Sequence, residues 1–232
     1  MITVAENLWV HEDSIKLLLV PFGLRMTVVR LTGGRLWVHS PTPLSSNLTD
    51  ELEQLGSVAY IVGAANGHNI SLRQWRAAYA EAELYVSPDI PRRIGIQDCA
   101  LLDDSFVNPW LPELAHQYIA GVPYFDESVF FHAASKSLIV TDFVQDHSGA
   151  VPGALAGVIK RCVLEPLGFK GLCTPPQLKN PARIKDKAAF ASSLQSIRAW
   201  DFERIIVAHG TIVEADVNAK QLFDALCDNL AD

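Results

Sequence analysis

Three histidines and one aspartate close runs of apolar residues that read as strands. His39 follows Leu36-Trp37-Val38, and His68 lies in the loop after Tyr60-Ile61-Val62. Asp142 follows Leu138-Ile139-Val140-Thr141, and His209 follows Ile205-Ile206-Val207-Ala208. In α/β proteins ligands bind at the carboxyl ends of strands, so polar groups there are candidates for chemistry. Imidazole nitrogens and a carboxylate oxygen are the donors that zinc, iron or manganese take. The candidate metal set is therefore His68, Asp142 and His209, with His39 as a further donor. An ion held by them would bring the pKa of water down to about 7 and equip the site for hydrolysis. Asp142 or Asp146 is then the candidate base. Each position also has a plain structural reading. His39 is equally a hydrogen-bonded strand-end histidine, and His68 a solvated loop residue. Asp142 is equally a turn cap, and His209 orients the turn at Gly210. Asp146, with His147, is equally a solvated loop residue.

These residues need elements to position them. Leu8-Trp9-Val10, Thr27 to Leu31 and Leu36 to His39 are rich in β-branched and aromatic residues, as strands are, and Thr32-Gly33-Gly34-Arg35 is a hairpin turn. Asp50 to Leu55 predicts a short helix capped by Thr49 or Asp50 and closed by Gly56. Val58 to Val62 is a buried strand, and Ser71 caps a helix through Ala80 with Leu72, Trp75 and Tyr79 on one face. Leu84 to Val86, Ser128 to His132, Ser137 to Asp142 and Arg204 to Ala208 complete the strands. Gly153 to Leu167 and Pro181 to Trp200 have helical periodicity, and Asp216 is placed to cap a last helix through Leu230. Arg92 to Tyr118 shows no clear pattern and reads as a lid or an interface. Strands alternating with helices make an α/β chain.

Composition limits the function. The chain has 232 residues, enough for one domain over 1–232, with 49% apolar and 19% charged residues. Its net charge of −7 and the lack of a basic stripe argue against nucleic acid as a partner. Cys99, Cys162, Cys173 and Cys227 form no CxxC pair and read as reduced thiols. The start of the chain has no signal-peptide pattern, and the longest apolar stretch, Ile15 to Phe22, is too short for a bilayer. The expectation is a cytoplasmic protein without membrane contact.

Val140-Thr141-Asp142-Phe143, Arg204 to Gly210 and Leu55 to Val62 resemble segments of the metallo-β-lactamase superfamily. The first resembles the strand end that supplies the bridging aspartate, the second the last strand with its metal histidine. The third resembles the helix end and strand before the main metal loop. The resemblance implies a four-layer αββα sandwich. The family loop His-x-His-x-Asp-His is represented by Gly63-Ala64-Ala65-Asn66-Gly67-His68-Asn69, in which only His68 suits a metal, and no histidine lies near Gly121-Val122-Pro123. Arg25 to Leu31, Leu36 to Pro41 and Phe130 to Asp142 resemble a narrower branch known as a domain of unknown function. The expectation is a fold that has lost most of its metal ligands and has no metal cofactor. It would bind a small molecule in the old cleft or pair with a second copy. The alternative is a single-ion hydrolase of an ester, amide or phosphoester.

Overall fold

The computed structural model describes residues 1–17, 20–149 and 154–231. The chain opens with β1 (Ile2–Ala5), β2 (Leu8–Leu17), β3 (Val20–Leu31) and β4 (Arg35–His39), paired in sequence as antiparallel neighbours. Gly33 and Gly34 have φ of 84° and 75°, which a hairpin turn demands and glycine accepts without cost. After α1 (Ser46–Leu55) the chain adds β5 (Ser57–Gly63), α2 (Leu72–Ala78), β6 (Glu83–Val86), α3 (Ile90–Ile94) and β7 (Ala100–Leu101). The strands β1 to β7 form a seven-stranded sheet in sequence order. A second, four-stranded sheet has the order β13-β10-β9-β8, from β8 (Leu114–Tyr118), β9 (Ser128–His132), β10 (Ser137–Val140) and β13 (Arg204–Val207). A two-stranded ladder joins β11 (Gln145–Asp146) to β12 (Leu172–Cys173). Three more helices are α4 (Ala154–Ile159), continued as a π-helical turn over Lys160–Leu164, α5 (Lys187–Arg198) and α6 (Ala219–Ala231).

The two-residue period of the strands builds the layers. Leu36 and Val38 face α1 and α2 beside Leu48, Leu52 and Trp75, while Trp37 between them faces the opposite sheet. Leu138 and Val140 of β10 face α5 and α6 beside Phe190 and Phe223, and Ile139 faces inward with Trp37 and Phe130. The result is helix, sheet, sheet, helix, with three apolar seams. Among the described residues no helix is long and apolar enough to cross a membrane.

Several elements differ from their sequence reading. The helix expected from Pro181 starts at Lys187, with Asp186 accepting from Ala189 N–H. The Gly121 carbonyl takes the N–H groups of Lys185 and Asp186, which holds the chain out of the helix until then. Asp216 lies in a short 3₁₀ turn, and α6 begins after Asn218, whose side chain accepts from Gln221 N–H. The cap of α1 is Ser45, not Thr49 or Asp50, so that helix gains a turn. Ser71 precedes α2 but makes no side-chain cap bond, and α2 stops at Ala78. The helix expected from Gly153 falls partly outside the described residues, and its second half is π-helical. The segment Arg92 to Tyr118, read from sequence as a lid or an interface, has a structural part as well, and its Arg93 stands in the wall of a cavity. The segment carries the chain from one sheet to the other as β7 and β8, with Trp110 buried between the sheets against Trp37, Tyr85 and Phe130.

Candidate metal centre

β4 and β5 run parallel in one sheet, and β10 and β13 run parallel in the other. Loops leaving them place His68, Asp142 and His209 together where the two sheets meet. His68 Nε2 lies 2.9 Å from His209 Nε2. Asp142 Oδ1 lies 3.2 Å from His209 Nε2 and 3.4 Å from His68 Nε2. Nitrogen and oxygen donors bound at about 2.0–2.1 Å around a tetrahedral ion stand roughly 3.3 Å apart, so both nitrogen–oxygen separations fit one zinc-sized ion. The nitrogen–nitrogen separation is shorter, closer to the right-angle spacing of an octahedral face. The donor set, two histidines and one carboxylate, is one that zinc and ferrous iron use with open positions left for substrate.

The outer nitrogens fix the rings. His209 Nδ1 is 2.8 Å from the Gly23 carbonyl, which only accepts, so Nδ1 carries the proton and Nε2 presents its lone pair. His68 Nδ1 meets the Ser40 hydroxyl. Such contacts orient metal-binding imidazoles. Gly67 makes room for the carboxylate, since a Cβ there would lie 2.5 Å from Asp142 Oδ2. Glu127, fully buried, accepts from the N–H groups of Thr141, Asp142 and Phe143 at 2.8, 2.9 and 2.7 Å, clamping the turn that carries Asp142. Burial and the neighbouring Asp142 raise the Glu127 carboxyl above the usual range, against the pull of those three donors. Burial raises Asp142 as well, but the His68 and His209 imidazoles outweigh it and hold Asp142 low. The Arg25 guanidinium, itself buried, donates to the Val207 and Gly210 carbonyls and to Glu12, tying the first sheet to the His209 turn.

Two sequence candidates stand apart from this group of three. His39 is buried and stacks on Trp37, with Nε2 3.4 Å from the Thr141 hydroxyl. Burial, with His68 beside it, pushes its imidazole down to about 3. Asp146 gives its carboxylate to Ser148, accepting from the hydroxyl at 2.5 Å and the N–H at 3.2 Å. Its backbone lies against Gly210 so closely that any Cβ there would sit 1.5 Å from the Asp146 carbonyl. His132 lies on strand β9 as expected, bonded to Ser135.

Nothing in the local sequence pattern singles out Glu127, Asn66 or Gly67. Counting back from His68 by the spacing His-x-His-x-Asp-His puts Gly67, Ala65 and Gly63 at the other three loop positions. A Cβ on Gly63 would meet Leu72 at 2.7 Å, so packing fills the space a ligand there would need. Beside the triad lies a cavity of about 310 Å³ whose walls include Asn66, Arg93, Tyr124, Gln145 and His147. The Asn66 amide is buried, and among the described residues neither its nitrogen nor its oxygen has a hydrogen-bond partner.

No curated protein matches the chain in sequence. Solved structures do match in fold. DIM-1 metallo-β-lactamase is 15% identical with a TM-score of 0.62, over 98% of this chain and 95% of that one. The metallo-β-lactamase FIM-1 from Pseudomonas aeruginosa, in a mono-zinc form, is 12% identical with a TM-score of 0.60, over 99% and 95%. The metal-soaked Flv1 flavodiiron core from Synechocystis is 12% identical with a TM-score of 0.62, over 97% of this chain and 60% of that one. At these identities the likeness concerns the metallo-β-lactamase fold alone. The family model described as a domain of unknown function, DUF4336, matches residues 5–168, and the chain belongs to that family.

Proposed function

We propose that this protein holds one divalent metal ion at His68, Asp142 and His209 and hydrolyses a small ester, amide or phosphoester. The observation that carries the reading is the meeting of two Nε2 atoms and one carboxylate oxygen within 4.8 Å of one another. The Gly23 carbonyl and Ser40 hydroxyl occupy the two outer nitrogens. Two imidazole lone pairs facing each other at 2.9 Å repel unless a cation or a proton lies between them. A zinc or iron ion supplies Lewis-acid chemistry, polarising a carbonyl or phosphoryl oxygen and acidifying water. The chain's own groups do the rest. Asp142 balances positive charge, Glu127 holds the Asp142 turn still, and Asn66 offers an unpartnered amide to a substrate oxygen or N–H in the cavity.

The second reading is a fold without metal, in which a proton joins His68 to His209. The 2.9 Å separation favours it, because that is hydrogen-bond length. Elemental analysis of the purified protein separates the two. The metal reading expects about one zinc, iron or manganese per chain, lost in both His68→Ala and His209→Ala. Protein that stays metal-free after incubation with excess zinc, by calorimetry as well as elemental analysis, establishes the proton-bridged pair and a ligand-binding or interaction role.

A further inference from the structure

A second cavity lies on the far side of the molecule's smaller sheet, between α5, α6 and β12, with a volume of about 860 Å³. Its floor is apolar: Cys173, Leu178, Phe190 and Leu194 are buried there, and Leu226 and Leu230 of α6 close one side. Two exposed lysines, Lys170 and Lys187, stand in its wall. Among the described residues neither has a carboxylate at ion-pair distance. In a chain of net charge −7, these two ammonium groups put positive charge at the rim of one apolar cavity. The cavity opens to solvent past Lys170, Lys187 and Asn229, while its buried floor of Leu178, Phe190 and Leu194 offers water no side-chain partner, a lining that suits an occupant with one apolar end and one polar end. Its size falls within the range of small-molecule pockets, about 300–1,000 Å³.

We infer that this cavity is a binding site for a free long-chain carboxylate, its hydrocarbon tail on the Phe190–Leu194 floor and its head group at Lys170 and Lys187. The site is distinct from the metal pocket and does not depend on the metal reading. Residues 168–175 divide the two: Phe169 and Pro175 line the cavity beside the triad, whereas Gly168, Lys170 and Thr174 line the apolar one. The amphiphile therefore sits behind the wall of the metal pocket rather than inside it.

The test is calorimetric titration of the intact protein with palmitate, hexadecanol and butyrate. Palmitate binds saturably, one per chain. Hexadecanol, with the same tail and no charge, binds at least about tenfold more weakly, as does palmitate to the Lys170→Glu/Lys187→Glu variant, the loss expected of a charge-assisted contact. Butyrate, with the charge and almost no tail, does not bind. Ala188 and Ala191 are exposed on α5 and line the cavity, so Ala191→Trp blocks it without touching the core, and Ala188→Trp serves where Ala191→Trp fails to fold. Either block abolishes palmitate binding, and His209→Ala leaves it unchanged. The inference is overturned by no saturable binding, by equal binding of palmitate and hexadecanol, or by binding that survives both tryptophan variants. It is also overturned by binding lost in His209→Ala, which would place palmitate at the triad. Light scattering that shows a dimer dispersed by Ala191→Trp would make the cavity a contact between copies of this chain, which overturns it too.

Discussion

Gly67 sits beside the carboxylate it makes room for. Its place immediately before His68 leaves no latitude: a methyl group there lies 2.5 Å from Asp142 Oδ2, and the Asp142 turn cannot retreat because Glu127 holds three of its N–H groups. Gly67→Ala therefore displaces the carboxylate rather than the loop. Zinc titration should show affinity reduced by roughly 10–100-fold, the usual cost of disturbing the groups around a ligand, with an unchanged circular dichroism spectrum. Equal zinc affinity in the two proteins would remove Asp142 from the ligand set. Glu127→Gln tests the same turn from the other side. Both carboxylate oxygens accept N–H groups, so an amide turns a donor against a donor wherever it points. Denaturant unfolding should show a loss of about 1–3 kcal/mol, the penalty for a buried unsatisfied group. A change within a few tenths of a kcal/mol would mean that the three donors find other partners.

At the scale of elements, the site is made by strand ends and by the bonds that lock their loops. His68, Asp142 and His209 were legible in the sequence because each follows an apolar run whose length and composition mark a buried strand, and chemistry gathers at such ends. Convergence was not legible, since it depends on contacts between distant residues. Arg25 donates across to Val207 and Gly210, and Gly23 accepts from His209; neither pairing leaves a mark on local pattern. Glu127 is a lone acid before the strand Ser128–His132, and nothing in its neighbourhood announces three backbone donors arriving from the next strand's end. The helix ends went astray for a related reason. Periodicity ran smoothly from Pro181, but the Gly121 carbonyl, sixty-odd residues earlier, captures Lys185 and Asp186 and sets the start at Lys187, a long-range override of local preference. The layer order was legible only through the resemblance to the metallo-β-lactamase superfamily: β10 and β13 are apolar on both faces, Leu138, Val140, Ile205 and Val207 at one seam and Ile139 and Ile206 at the other, so their own pattern does not say which face meets helices and which the second sheet.

For the whole molecule, the two sheets enclose imidazoles that must stay neutral, and this couples stability to pH. His116 lies between Phe106 and Phe130, with ring centroids 4.8 and 5.3 Å away, and its Nε2 is 2.8 Å from the Ser128 hydroxyl. Burial pushes it from 6.5 down to about 4, and the Asp103 charge opposes this only in part. Burial lowers His132 as well. The folded pKa lies below the unfolded one, so the unfolded chain takes up a proton first as pH falls. Above pH 6.5 both states are neutral at His116 and it adds no pH dependence. From 6.5 down to about 4 stability drops, by about 1.4 kcal/mol per unit and about 3 kcal/mol in all, and below that the native state is protonated too and the loss stops growing. Urea unfolding between about pH 7 and about pH 5 should thus show wild type losing roughly 2 kcal/mol more than His116→Gln, whose amide keeps a polar partner for Ser128 without titrating. The comparison cancels the pH response of the triad, which both proteins share. Equal losses in the two would mean that His116 reaches water in the folded state, and that the seam between the sheets is open at the β8 edge.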